Sequence, residues 1–344
     1  MDDQSLYTQH NHVVKKLVFV SILLALVVVA LGAYTRLTHA GLGCPDWPTC
    51  YGLLDVPETN EQIAKAELAF PERAVEPEKA WNEMIHRYFA GTLGLLILAI
   101  AFLSFKHRKQ GTPLRLPLLI LVIVIFQAAL GMWTVTMKLM PIVVMAHLLG
   151  GFTTLCLLFL LYLRLRSNRI NRSDFSVKKY GRYGLLGIVI LTAQIALGGW
   201  TSSNYAALSC VELPICQSGW QEQLTFENSF DLVPPAQDSY EFGHLNHDER
   251  VTIHVMHRFG AIVTTLYLAW LVIMVYIKAK TTTFKTSALL VGVALISQVV
   301  LGVSNIVFSL PLSIVCPAKI IQSQYRFGGK ANAANQRNSI SFGG

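Results

Sequence analysis

The sequence predicts an all-α integral membrane protein made of two copies of one helical unit, and three observations predict it. Only 14% of the 344 residues are charged, 53% are apolar and the mean hydropathy is +0.47, far from the roughly 25% charged share of soluble domains. Apolar stretches able to cross a hydrocarbon core, which takes about 20 residues, occur near 17–35, 88–105, 116–137, 140–163, 183–201, 259–277 and 286–315. Two segments, "ALGAYTRLTHAGLGCPDWPTC" from Ala30 and "ALGGWTSSNYAALSCVELPIC" from Ala196, repeat one helix end followed by one Cys-x5-Cys loop.

The first stretch has the form of a signal peptide, with Lys15 and Lys16 ahead of an apolar run. Its counterpart at 183–201 is internal, so it reads as a retained helix. Residues 106–115 hold Lys106, Arg108, Lys109 and Arg115 with no acid, and 164–182 hold seven basic residues against Asp174 alone. Short basic loops stay in the cytoplasm, which puts the amino terminus there too. Residues 37–80 carry eight acids and three basic residues, and 202–249 carry eight acids and no basic residue, so both loops face outward. The net charge of +8 is then a topology signal and calls for no nucleic-acid partner.

A long-period repeat organises the chain. At an offset of 166, Gly32 meets Gly198, Cys44 meets Cys210 and Cys50 meets Cys216. Further on the offset is 171: "IHRYFAG" from Ile85 aligns with "MHRFGAI" from Met256, and "FQAALG" from Phe126 with "SQVVLG" from Ser297. Both copies enter from the same side, which makes the repeat parallel. The expected fold is two pseudo-symmetric four-helix bundles side by side. The boundaries are an N-terminal bundle at 1–165, a cytoplasmic linker at 166–182, a C-terminal bundle at 183–315 and an atypical polar tail at 316–344.

Four of the six cysteines, Cys44, Cys50, Cys210 and Cys216, lie in the outward loops. A bacterial periplasm is oxidising, and neither loop offers the second ligand pair of a closed zinc site, so disulfides are favoured over metal. Each pair would hold its loop as a lid over a bundle mouth. Cys156 and Cys316 sit in or beside apolar spans and read as small hydrophobes.

Ionisable groups inside membrane spans point to function by default, and His86, His147 and His257 are the candidates. His86 lies near the outer start of the second span. His147 follows Pro141, which is placed to start the fourth, so the two share a shallow depth. Two histidines at matched depth on different helices can clamp a haem, and the alternative is a histidine that bonds a neighbouring helix. The recurrence of His86-Arg87 as His257-Arg258 favours haem, since an adjacent arginine can pair with a propionate. Three residues earlier stand Glu83 in one copy and His254 in the other, so the sites are alike but not equivalent. His39, His244 and His247 lie in the outer loops and read as solvated.

At these residues the sequence resembles the haem A synthase family, membrane oxidases that convert haem O to haem A. The resemblance runs over roughly 15–315 and rests on "TRLTHAGLGCPDWPTCYG" from Thr35, "EMIHRYFAG" from Glu83, "MAHLLGG" from Met145, "LGGWTSSNYAALSC" from Leu197 and "HVMHRFG" from His254. It implies an eight-helix fold whose first bundle takes haem O between His86 and His147, with Glu83 beside the reacting edge, while the second bundle holds haem b on His257. It further implies a multi-pass protein of the bacterial inner membrane. Its partners would be haem O, haem A, membrane lipid, a haem O synthase and an electron donor, and a homo-oligomer is compatible with it.

The chain departs from this pattern at its end. An eighth helix should bear a histidine 171 residues after His147, and position 318 is alanine. The segment from Cys316 has four basic residues and no apolar run of spanning length, so the second bundle lacks a recognisable eighth helix and His257 lacks its expected partner. The competing readings are a b-type cytochrome or haem carrier without oxidase activity, a truncated and inactive synthase and, last, a transporter. Glu83 separates the first of these from an oxidase, because an electron carrier does not need the carboxylate.

Overall fold

A computed structural model describes residues 3–110, 112–166 and 174–308. The chain in this range is helical: α1 (Asp3–Leu37), α2 (Asn60–Ala69), α3 (Pro77–Lys106), α4 (Arg115–Thr136), α5 (Pro141–Leu165), α6 (Tyr180–Ser203), α7 (His247–Lys278) and α8 (Thr282–Val307). Seven of the described helices are long and apolar enough to cross a membrane, and no strand occurs among the described residues. The expectations about Cys316, Ala318 and the 316–344 tail lie outside the described residues.

Helices α3 and α7 begin well before the stretches that hydropathy marks. Pro77 opens α3 at a position where its missing N–H costs nothing, and Asn246 opens α7 with a reciprocal cap, its side chain taking the Glu249 amide at 2.9 Å while Glu249 takes the Asn246 amide at 2.8 Å. Their first turns are polar because they rise out of the hydrocarbon layer. His86 therefore lies nine residues inside α3, and His257 ten residues inside α7. Pro141 starts α5, as the sequence suggests. The short helix α2 is capped by Thr59 and Gln62 in the first cysteine loop, and no apolar signal announces it.

Helix α1 packs on α3 and α5, α3 on α4, and α4 on α5, which closes a ring of four. Away from the cysteine loops this ring is filled by Val14, Val18, Leu93, Ile97, Ile120, Leu158 and Leu161, all buried. In the second half α6 packs on α7 and α7 on α8, and α5 against α6 joins the halves. On the side remote from the cysteine loops, Asp174 accepts the amides of Lys280 and Thr281 at 2.8 and 2.9 Å and so pins the α7–α8 corner. The Ser176 hydroxyl first, then these amides, hold its carboxyl down at about 2.

The duplication shows in how α1 and α6 end. The amide of Ala40 bonds Thr35 O and that of Ala206 bonds Thr201 O, both at 2.9 Å, across His39 and Tyr205 in the left-handed region at φ 51° and 56°. Both are Schellman-type stops made without glycine. These matched residues stack on each other, ring centroids 5.8 Å apart and 8° from parallel, with Phe242 beside both rings. Arg36 lies 3.9 Å over the Tyr205 ring and donates to the Ser202 carbonyl. His39 is thus more than a solvated loop histidine, and burial followed by the Arg36 charge hold its imidazole below the ordinary 6.5.

A second clasp joins the two cysteine-bearing loops, Arg73 to Glu241 at 2.8 Å, with the Glu241 side chain almost wholly covered. Removing only the cation strands a buried carboxylate. Arg73→Leu should destabilise the protein by about 1–3 kcal/mol, and Arg73→Leu with Glu241→Leu should recover most of that loss. Thermal unfolding of the parent, both single variants and the double variant in detergent measures the coupling, and additive losses would contradict it.

Candidate active site

Glu83, His86 and Arg87 fall at i, i+3 and i+4 on α3 and share one face. Glu83 is buried, accepts the Cys44 amide at 3.0 Å and is paired with Arg87 at 2.6 Å. Arg87 also donates to Thr49 O at 2.6 Å and Pro48 O at 3.3 Å. The carboxylate and the guanidinium therefore grip the two ends of the loop that the Cys44–Cys50 disulfide closes.

Local sequence builds that loop. Asp46 gathers the Thr49 hydroxyl and the amides of Tyr51 and Gly52 at 2.5, 2.6 and 2.9 Å, an Asx-type turn, and Gly52 takes φ +77°. Tyr51 bonds Ala74 O at 3.0 Å, and burial pushes its phenol up to about 12. Gly43 is the point of closest approach: a Cβ there would lie 2.5 Å from Lys79 O. Only glycine lets the loop sit low enough on α3 for the Cys44 amide to reach Glu83.

The histidines rest on glycines. A Cβ at Gly32 of α1 would stand 3.1 Å from His86 Cε1, and one at Gly131 of α4 would stand 3.4 Å from His147 Cε1. The Nδ1 atoms of both are buried and neither closes a well-formed hydrogen bond, although the backbone carbonyls of Val28 and Gln127 lie near the His86 and His147 rings. An unpaired buried nitrogen is costly, so the pair has the character of a site shaped for an additional group.

The second half repeats the arrangement with other chemistry. His254 stands where Glu83 stands and accepts the Cys210 amide at 3.2 Å on Nδ1, with Arg258 Nε 3.3 Å from its Nε2. Arg258 donates to the Cys210, Glu212 and Ile215 carbonyls within the Cys210–Cys216 loop. His257 rests on Gly198, where a Cβ would lie 3.2 Å from its Cε1, and its Nδ1 lies 3.0 Å from Gln194 Nε2.

The structure therefore brings Glu83, His86 and Arg87 together on one face of α3 and His254, His257 and Arg258 together on one face of α7, while His147 stands on α5 of the same ring of helices, against Gly131 of α4. Thr49 and Ile215 are partners of the two arginines at matched positions, a loop-holding role that the motifs do not advertise. The glycine seats were half visible, since Gly32 and Gly198 anchor the repeat; Gln194 left no signal. Among the described residues no group of three or more metal-ligating side chains converges, and the four loop cysteines are joined as the disulfides that the spacing suggests.

Fold and site define a polytopic helical membrane protein with a duplicated histidine site, each copy lidded by a disulfide loop. The chain belongs to the COX15-CtaA family, described as cytochrome oxidase assembly protein, which matches residues 15–316. It is 51% identical to the heme A synthase of Shewanella oneidensis over 295 residues, 86% of this chain and 88% of that protein. It is 27% identical to the heme A synthase of Bacillus licheniformis over 61% of this chain and 66% of that protein, and 25% identical to that of Shouchella clausii over 80% and 79%.

Two outcomes follow from the loop geometry. Gly43→Ala should force the loop off α3 and cost about 1–3 kcal/mol, and thermal melting beside Ser209→Ala, the substitution at the matching position, measures it; equal stability in both variants would contradict the close approach. Opening either disulfide should cost roughly 2–3 kcal/mol for so short a loop, and mass spectrometry of the unreduced protein should find no free thiol at Cys44, Cys50, Cys210 or Cys216.

Proposed function

We propose that this chain is a haem A synthase of the bacterial inner membrane, oxidising a porphyrin methyl of haem O to the formyl group of haem A. Its amino terminus is cytoplasmic and both cysteine loops face outward. The observation that carries the reading is the buried Glu83, held by Arg87 and the Cys44 amide one helical turn before His86, in a half whose His86 and His147 keep unpartnered nitrogens.

On this reading residues 1–165 form the substrate bundle, with haem O between His86 and His147. Residues 183–315 form the electron-handling bundle with haem b on His257, and 166–182 link them. The residues suit the group: paired imidazoles seated on glycines in one half and a supported imidazole in the other are neutral donors for haem iron. Haem b supplies one-electron redox chemistry when bound. Glu83 is placed to hold or take a proton at the substrate edge. The disulfide loop covers that edge and keeps water from it. Arg258 bonds only carbonyls and His254 among the described residues, so its charge is open to a propionate, whereas Arg87 already answers Glu83. Haem O arrives from a haem O synthase through the lipid, and an electron partner completes the cycle.

Glu83→Gln retains the shape and an acceptor for Arg87. Haem content and folding should persist while formyl product falls by about 10²–10⁴-fold, the usual worth of a positioned proton-transfer group. Chromatography of extracted haems reads the outcome, and an unchanged yield of haem A would remove Glu83 from the chemistry.

A further inference from the structure

We infer that Arg250 is the residue of the second half that pairs with a carboxylate of the group held on His257. With that group read as haem b, the carboxylate is one of its two propionates. The inference rests on the reading of His257 as a haem ligand and deepens it, because it says what sets the orientation of the group along the helix.

Arg250, His254 and His257 stand at i, i+4 and i+7 of α7 and share one face, with Arg250 on the side of the cysteine loop. At 1.5 Å per residue, Arg250 lies about 10 Å from His257 along the helix axis. His254 between them is already engaged, since it accepts the Cys210 amide and meets Arg258. Arg250 is half-buried, and its Nε is buried with no hydrogen-bond partner. Among the described residues no carboxylate pairs with it, the ion pairs there being made by Lys65, Arg73, Lys79 and Arg87. Its neighbour Glu249 is committed to the Asn246 amide and the Asn228 side chain.

A buried guanidinium nitrogen without an acceptor is costly. Arginine presents a planar fork that fits a carboxylate through two parallel N–H bonds, so the acceptor it suits best is an anion of that shape. Haem b joins an apolar macrocycle to two carboxylates on one edge. The macrocycle belongs in the hydrocarbon layer, and the carboxylates turn to the nearer water-facing side, as charged side chains in a membrane do. His257 is ten residues from the start of α7 and twenty-one from its end, so the nearer side is the one on which Arg250 stands.

Arg258 does not fill this role alone. Its N–H groups already serve His254 and the Cys210, Glu212 and Ile215 carbonyls, so it contributes charge rather than an open fork. In the first half the residue matched to Arg250 is Lys79, which is paired with Glu76 at 2.8 Å. An ammonium already answered on its own helix holds an anion less firmly than an open guanidinium. The open cation thus stands in the half that suits a resident group.

The test uses the full chain purified in detergent in a His86→Ala, His147→Ala background, so that the second half alone is titrated. Optical titration compares haem b with its dimethyl ester, in which both carboxylates are uncharged. Arg250→Gln should weaken uptake of haem b about 10–100-fold and leave uptake of the ester unchanged, and Arg250→Lys should keep part of the preference for the acid. The midpoint potential of bound haem b should fall in Arg250→Gln, because a nearby cation favours ferrous iron. Lost packing weakens both haems alike, so equal losses overturn the inference, as does a preference for the acid that Arg250→Gln leaves unchanged. If the background takes up neither haem, or His257→Ala holds haem b with an unchanged spectrum, the ligand reading falls and this inference with it. Loss of haem in His257→Ala beside an unchanged preference in Arg250→Gln overturns this inference only.

Discussion

The amide of the first cysteine in each loop donates to the side chain three residues before the site histidine, to Glu83 in one half and His254 in the other. Around this bond the rest of each site is arranged. It draws the loop onto the helix, and the arginine four residues further along that helix then reaches the carbonyls at the loop's far end. The disulfide closes what these two bonds have drawn together. Lipid provides no hydrophobic force between helices, so such polar anchors and close packing decide where each helix sits.

The two halves show what one scaffold does with different residues at one place. With Glu83 the pocket holds a buried ion pair, whose two charges compensate each other away from water. With His254 the same pocket holds a neutral ring beside a cation. The loop geometry survives the exchange because the bond needs only an acceptor for the cysteine amide. Chemistry could therefore diverge in the first half while the fold stayed common to both.

Joining of the halves follows the same economy. His39 and Tyr205 are matched by the repeat, each ends its helix in a conformation that favours glycine, and each stacks on the other. A left-handed conformation at a residue with a side chain costs of order 1–3 kcal/mol. The stack, with Arg36 over Tyr205 and the Arg73–Glu241 pair nearby, offsets that cost at the junction.

The sequence by itself determined the helical membrane class, the number of apolar spans, the duplication and the cysteine pairs, and it singled out Glu83, His86, His147 and His257 as candidates. These are carried by composition, by contiguous runs and by short motifs repeated at fixed offsets, all readable along the chain. The early starts of α3 and α7 were not readable as spans, because proline and capping residues extend a helix into water where hydropathy falls silent. Tertiary structure alone decided that Gly43 admits a backbone, that Gly32, Gly131 and Gly198 seat imidazoles, that Gln194 meets His257 and that Arg87 and Arg258 hold loops. Each of these is a meeting of one or two atoms from distant parts of the chain. Such contacts impose no period and no run on the sequence, only a particular residue at a particular place.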